Sequence, residues 1–139
     1  MRVYLDTNIL LDILMESRVS HTDSSTILRM AEKDCIEAIL STQSIIDAAY
    51  VFYAQGKAPL VLFKDAVKLI LSHVNVTQIN ENDIKSAIRS SNKDFEDAAQ
   101  IACALSAGCD AIISSDKKMK GASSIPVFSA REFCSLVFD

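Results

Sequence analysis

Tryptophan is absent from the 139 residues, and turn formers are scarce, with two prolines and three glycines. A β-sandwich or barrel needs many tight turns, so this scarcity excludes it and favours helices and buried strands joined by short loops. Basic residues are also in deficit: 14 Lys and Arg stand against 18 Asp and Glu, a net charge of −4. That balance weakens a nucleic-acid partner, because phosphate contacts need cations. Net charge describes the whole surface, however, and acids gathered round a metal ion would be partly cancelled by it. No apolar run is long enough to span a bilayer, and Asp6 interrupts any leader-like core, so no membrane partner is expected and the chain is read as cytoplasmic. None of the four cysteines (Cys35, Cys103, Cys109, Cys134) forms a C-x-x-C pair. Each has apolar neighbours, so the expectation is buried free thiols in a reducing compartment, with no zinc site.

Half the residues are hydrophobic and 23% are charged, a composition that buries a core. With no repeat, linker or low-complexity tract, residues 1–139 read as a single domain. Arg2–Leu5 is a short buried strand ending at Asp6, followed by helical spacing to Met15. Glu16 to Ser25 is expected as a loop, with a helix from about Ser24 to Lys33 and a strand over Cys35–Leu40. Ser41-Thr42 caps a helix to about Ala54 that Gly56 stops, and Pro59 opens another to Leu71. Val74–Ile79 alternates as a strand, and Asn80 caps a helix to Arg89. A close-packing helix spans Asp94 to Ala107 and ends at Gly108. The last elements are a strand over Asp110–Ser115, a basic loop Lys117–Lys120, a strand Pro126–Phe128 and a helix capped by Ser129. Strands alternate with helices throughout, which predicts an α/β fold: a three-layer α/β/α sandwich around a mostly parallel sheet.

Ligands of such sheets bind beyond the carboxyl ends of the strands, and several acids fall there. Asp6 closes the first strand, where it can face the crevice or equally cap the next helix. Asn8 is more at home stabilising that turn. Asp94 and Asp97, three apart, share a helix face near its N-terminus, with Glu96 pointing elsewhere; acids there also compensate the helix dipole. Asp116 follows a strand, an ordinary place for a turn Asp. Asp47 lies inside a helix between apolar neighbours, on the solvent face or aimed at the crevice. Each acid alone is weak, but Asp6, Asp94, Asp97 and Asp116 map to one sheet edge. Carboxylates converging there need protons or cations, and an all-oxygen set suits Mg²⁺ or Mn²⁺. His21, in a loop, and His73, near the strand-entry edge, are incidental.

The run Val-Tyr-Leu-Asp6-Thr-Asn8-Ile-Leu-Leu-Asp resembles the opening of PIN domains, the fold of VapC-type toxins and related ribonucleases. Asp94-Phe-Glu-Asp97 and the later Asp-Ala-Ile-Ile-Ser114-Ser-Asp116 resemble that family's third and fourth motifs, and the likeness spans essentially the whole chain. What the resemblance implies is an RNA-cutting domain with one or two divalent ions. On this basis Asp6, Asp97 and Asp116 match metal ligands, Asp94 an additional acid, and Asp47 stands where a Glu is usual. Ser114 and Asn8 would brace the carboxylates by hydrogen bonds. Ser115 replaces an Arg that would touch phosphate, leaving Lys117, Lys118 and Lys120 to track the RNA backbone. An antitoxin protein is a possible partner. A homodimer could use the apolar helices Ile45–Tyr53 and Leu60–Leu71.

The implied chemistry is metal-assisted hydrolysis of RNA phosphodiester bonds, with Asp47 or Asp94 completing the shell or positioning water. A haloacid-dehalogenase-like phosphotransferase would want an acid at position 8, which is Asn, and a receiver-like signalling domain would want adjacent acids after the first strand. The alternative from another class is a catalytically degenerate PIN domain that binds RNA or protein, kept open by Asp47 and Ser115.

Overall fold

The structure is a computed structural model that describes residues 1–55 and 59–138. Gly56, expected to stop a helix, lies outside the described residues. Five strands, β1 (Arg2–Leu5), β2 (Glu37–Ser41), β3 (Asn75–Thr77), β4 (Ala111–Ile113) and β5 (Val127–Phe128), form one sheet in the order β3-β2-β1-β4-β5. Every pairing is parallel. Central β1 is buried along Val3, Tyr4 and Leu5, which is why it reads as an unbroken apolar run. Val3 and Leu5 face a core shared with α1 (Thr7–Leu14), α2 (His21–Glu32), α3 (Thr42–Gln55), α4 (Leu60–Leu71) and α8 (Ala130–Phe138). Tyr4 faces the other way, into a cluster with Ile101 and Ala104 of α6 (Phe95–Ser106) and Met119 of α7 (Lys117–Lys120). Helix α5 (Glu81–Arg89) packs on α6. The three-layer α/β/α sandwich inferred from the alternation is therefore present, and its sheet is wholly parallel.

Several local expectations are corrected. Helix α2 begins at His21, ahead of Ser24, because Ser24 is buried and donates its hydroxyl to Asp12 Oδ2 at 3.0 Å instead of capping. His21 accordingly sits at the start of a helix, its Nδ1 2.7 Å from the Asp12 carbonyl oxygen. The stretch Lys117–Lys120 is a helical turn: Asp116 caps it and Met119 is wholly buried among core residues. Strand β2 is displaced toward Ser41, and β3 shrinks to three residues because, as the sheet edge, it leaves Val76 exposed. Cys103 and Cys109 are buried, but Cys35 is exposed in the turn after α2, where Asp34 has φ 57°, and Cys134 is half-buried. Gly108 ends α6 with φ 70°, as its position predicts. No helix among the described residues is long and apolar enough to cross a membrane.

Candidate metal centre

Parallel pairing sets the site. Leu5 lies opposite Ile113, so the residues leaving β1 and β4, Asp6 and Ser114, emerge side by side at the carboxyl edge. The Asp6 amide donates to the Ile113 carbonyl at 3.0 Å, extending the ladder to the acid itself. Each acid there serves the backbone as well as the cleft. Asp6 caps α1, its Oδ1 accepting from Thr7 N at 2.8 Å. Asp94 caps α6, its Oδ1 accepting from Asp97 N at 3.0 Å. Asp116 caps α7, its Oδ1 accepting from Lys118 N at 2.9 Å. Capping engages one oxygen of each of these three carboxylates and leaves the other free of the helix end.

Asp94, Asp97 and Asp116 each present an oxygen within 4.8 Å of the other two. Asp97, in the first turn of α6, is only 8% exposed, and its Oδ2 is buried with no hydrogen-bond partner among the described residues. A buried, unpaired carboxylate oxygen is costly, and a cation in its lone-pair direction relieves that cost. Asp6 stands beside this trio. Its Oδ2 accepts from Ser114 Oγ at 2.7 Å, and the same hydroxyl oxygen accepts from Asp116 N at 3.0 Å. Ser114 Oγ therefore bridges the Asp6 carboxylate and the Asp116 backbone. Asn8 lines the cleft without a hydrogen bond to any of the acids among the described residues.

The cleft, about 460 Å³, is closed on its far side by Asp47, Tyr50 and Val51 of α3. Asp47 faces it, its Oδ1 accepting from Gln43 Nε2 at 2.9 Å. Glu96, expected to point away, also lines the cleft, its longer arm reaching round from the turn that carries Asp94 and Asp97. Spacing alone missed it, although its place beside two site acids was a signal. A buried chain of hydroxyls was missed too: Thr7 Oγ1 donates to Ser44 Oγ at 2.8 Å, and Ser44 N donates to Ser41 Oγ at 3.0 Å, tying α1 to the start of α3.

Crowded carboxylates raise one another's proton affinity. Burial pushes Asp97 up to about 7, reinforced by the close approach of the Asp116 carboxyl and by the charges of Asp116, Asp94 and Asp6. Burial likewise raises Asp6, against the hydrogen bonds from Ser114 and Thr7 that favour its charged form. Glu96 is raised by burial and then by the charge of Asp47. The set is short of positive charge at neutral pH, and its donors are all oxygens. That is the donor chemistry of Mg²⁺ or Mn²⁺.

The lysines divide. Lys118 lines a hollow beside the cleft together with Lys93, a residue not singled out from the sequence. Lys120 is bound to Glu132, its Nζ 2.7 Å from each carboxylate oxygen, so it is engaged within the fold. Lys117 is exposed on α7.

A parallel sheet with this strand order and an aspartate cluster at its carboxyl edge is the arrangement of a PIN domain. The PIN domain family model matches residues 2–118, and the chain belongs to that family. Ribonuclease VapC1 of Aquifex aeolicus (strain VF5) is 29% identical over 141 residues, 96% of this chain and 93% of that protein. Among solved structures, VapC20 of Mycobacterium tuberculosis, a sarcin-ricin loop cleaving toxin, superposes with a TM-score of 0.68 at 14% identity, over 86% of this chain and 94% of its own. A toxin–antitoxin complex from Klebsiella pneumoniae gives 0.65 at 18% identity, over 92% and 97%. At such identities these two structures speak for the fold.

Proposed function

We propose that this chain is a divalent-metal-dependent ribonuclease, hydrolysing RNA phosphodiester bonds as the toxin of a toxin–antitoxin pair. The observation that carries the reading is the convergence of Asp94, Asp97 and Asp116, with the Asp97 Oδ2 buried and unpaired among the described residues. The likeness to Ribonuclease VapC1 over nearly the full length of both chains supports it.

Asp97, Asp116 and Asp94 would hold Mg²⁺ or Mn²⁺. Asp6 joins them as the fourth acid, since a carboxylate oxygen that accepts one hydrogen bond still has a lone pair to offer. When bound, the ion supplies positive charge for the phosphate oxygens and lowers the pKa of a coordinated water. Ser114 keeps the Asp6 carboxylate from turning away and pins the backbone at Asp116. Asp47 and Glu96 face the same cleft and accept hydrogen bonds from the attacking water, orienting it for in-line displacement. Glu96 offers the longer arm that Asp47 lacks, which speaks against a degenerate, purely binding role. Lys118 and Lys117 receive the RNA backbone beside the acids.

The partner is an antitoxin protein. Ile46, Tyr50 and Tyr53 of α3 and Val61, Leu62 and Leu69 of α4 leave a broad apolar surface exposed, of the kind that marks protein interfaces. A second copy of the chain competes for the same face. An RNA-cutting toxin acts in the cytoplasm, where its substrate is.

The test is cleavage of RNA with and without Mg²⁺ or Mn²⁺, comparing wild type with Asp97→Asn and Asp6→Asn. We expect metal-dependent cleavage that either substitution reduces at least about a hundredfold. Full activity in EDTA, or in Asp97→Asn, would overturn the reading.

A further inference from the structure

Beside the acid cleft lies a second hollow of about 710 Å³, and the two share Asp94 and Glu96. The rest of its lining is Asn92, Lys93, Phe95 and Lys118. Phe95 is the first residue of α6 and is 52% exposed, so its ring stands half in water. It has no place in the hydrophobic clusters of the described residues. A lone exposed ring needs no explanation, but one that shares a hollow with two cations, next to a carboxylate cluster, does. Among the described residues neither Lys93 nor Lys118 makes an ion pair, in contrast to Lys120.

The segment that presents these groups is braced. Ser90 Oγ accepts from Asn92 N at 3.0 Å, Asn92 Oδ1 from Asp94 N at 3.0 Å, and Asp94 Oδ1 from Asp97 N at 3.0 Å. Lys118 is anchored through its backbone to Asp116 at 2.9 Å. The backbone that carries the ring and the two lysines is therefore held in place relative to the acids. An aromatic face beside cations is how proteins hold unpaired nucleotides: the base stacks on the ring and its phosphates meet the ammonium groups.

Resting on the ribonuclease reading, we infer that the Phe95 hollow is a nucleotide subsite. A base adjoining the bond to be cut stacks on Phe95 while Lys93 and Lys118 hold the phosphates beside it. The substrate is single-stranded at that point, because a base inside a duplex has no face left for the ring. Phe95 thereby sets the register of the strand against the acid cluster and favours a base over an abasic position there.

The chain has no tryptophan, so Phe95→Trp installs a sole indole reporter. In an Asp97→Asn background, which blocks turnover, titration with a short single-stranded RNA oligomer should quench the indole emission, and an oligomer abasic at the stacked position should not. In the otherwise native protein, Phe95→Ala should raise the KM for that RNA about tenfold or more, with kcat changed by less than about twofold. Phe95→Tyr should keep the wild-type KM while Phe95→Leu should behave like alanine. Replacing Lys93 and Lys118 together with Ala should flatten the slope of log affinity against log salt by about 1.4. An unchanged KM in Phe95→Ala, or rescue by leucine, overturns the subsite. If the wild type cleaves RNA while the emission of the Phe95→Trp variant stays still, the subsite fails and the nuclease stands. A wild type that neither binds nor cleaves RNA ends both. A shift in sedimentation of Phe95→Ala with KM unaltered gives the ring to a protein interface instead, and also overturns the proposal.

Discussion

Replacing Asp97 with Asn should stabilise the metal-free protein at alkaline pH while destroying its function. Burial and the neighbouring acids raise Asp97 from the ordinary 3.8 to about 7. Its folded state therefore binds a proton that the unfolded chain has already released between those values, so stability falls as pH rises from about 4 to 7 and is flat above. Taken at face value the displacement is worth about 4 kcal/mol. The cleft is open to water, which screens the three neighbouring charges, so about 2 kcal/mol is the working figure. Asn is nearly isosteric, carries no charge, and its amide can donate to Asp116. At pH 8 in EDTA the variant should thus melt about 5 to 8 °C above wild type, and at pH 4 the two should coincide. Millimolar Mg²⁺ should raise the wild-type midpoint and leave the variant nearly unmoved, closing the gap. The assay is a thermal melt by circular dichroism at the two pH values with and without the ion. A variant less stable than wild type at pH 8 in EDTA, or a wild type with no pH dependence across this window, would refute the account of the acid cluster.

Ser114→Ala removes the hydroxyl shared by Asp6 Oδ2 and Asp116 N. It should cost about 1–2 kcal/mol in urea unfolding and weaken Mn²⁺ binding by calorimetry about tenfold. Arg18→Ala strips the partner at 2.8 Å from buried Asp12 and should destabilise the fold by about 2–3 kcal/mol in the same unfolding assay, without altering cleavage at temperatures where the protein is folded. Lys118→Ala should weaken RNA binding at low salt several-fold more than Lys120→Ala, because Lys120 is already committed to Glu132; equal losses in a filter-binding assay would contradict that division.

The presence of every strand and most of the helix starts were legible because each rests on a local cause. Apolar runs bounded by Asp gave β1, α1 and α6, and a capping Asn80 gave the more polar α5; in each of the three helices the flanking side chain does act as the cap. Positions were also legible where the sheet alone decides them: once β1 and β4 are parallel neighbours, Asp6 and Asp116 must share an edge. What stayed hidden depends on contacts between distant segments. Met119 folds a lysine-rich stretch into a helical turn by sinking into a cluster with Tyr4, which lysine spacing does not announce. Ser24 looks like a cap until Asp12 claims its hydroxyl. Glu96 was set aside on helical angle, yet at a helix's first turn a side chain one carbon longer than Asp reaches what the angle denies it. Lys120 looked like part of a basic track, and only the arrival of α8 shows that Glu132 has taken it.

The hydroxyl of Ser114 joins residues that are 108 positions apart in the chain. The acid cluster is consequently a late product of synthesis and folding. A nascent chain that has made β1 carries Asp6 and nothing for it to cooperate with; Asp94, Asp97 and Asp116 reach the same edge only when β4 has been made and zipped against β1 with Leu5 opposite Ile113. A slip of one residue in that pairing would turn Ser114 to the wrong face. The convergence of the acids therefore reports on the topology, because they meet only in chains whose central strands have found each other in register. A copy truncated before the end of β4 lacks Asp116 and cannot assemble the cluster at all.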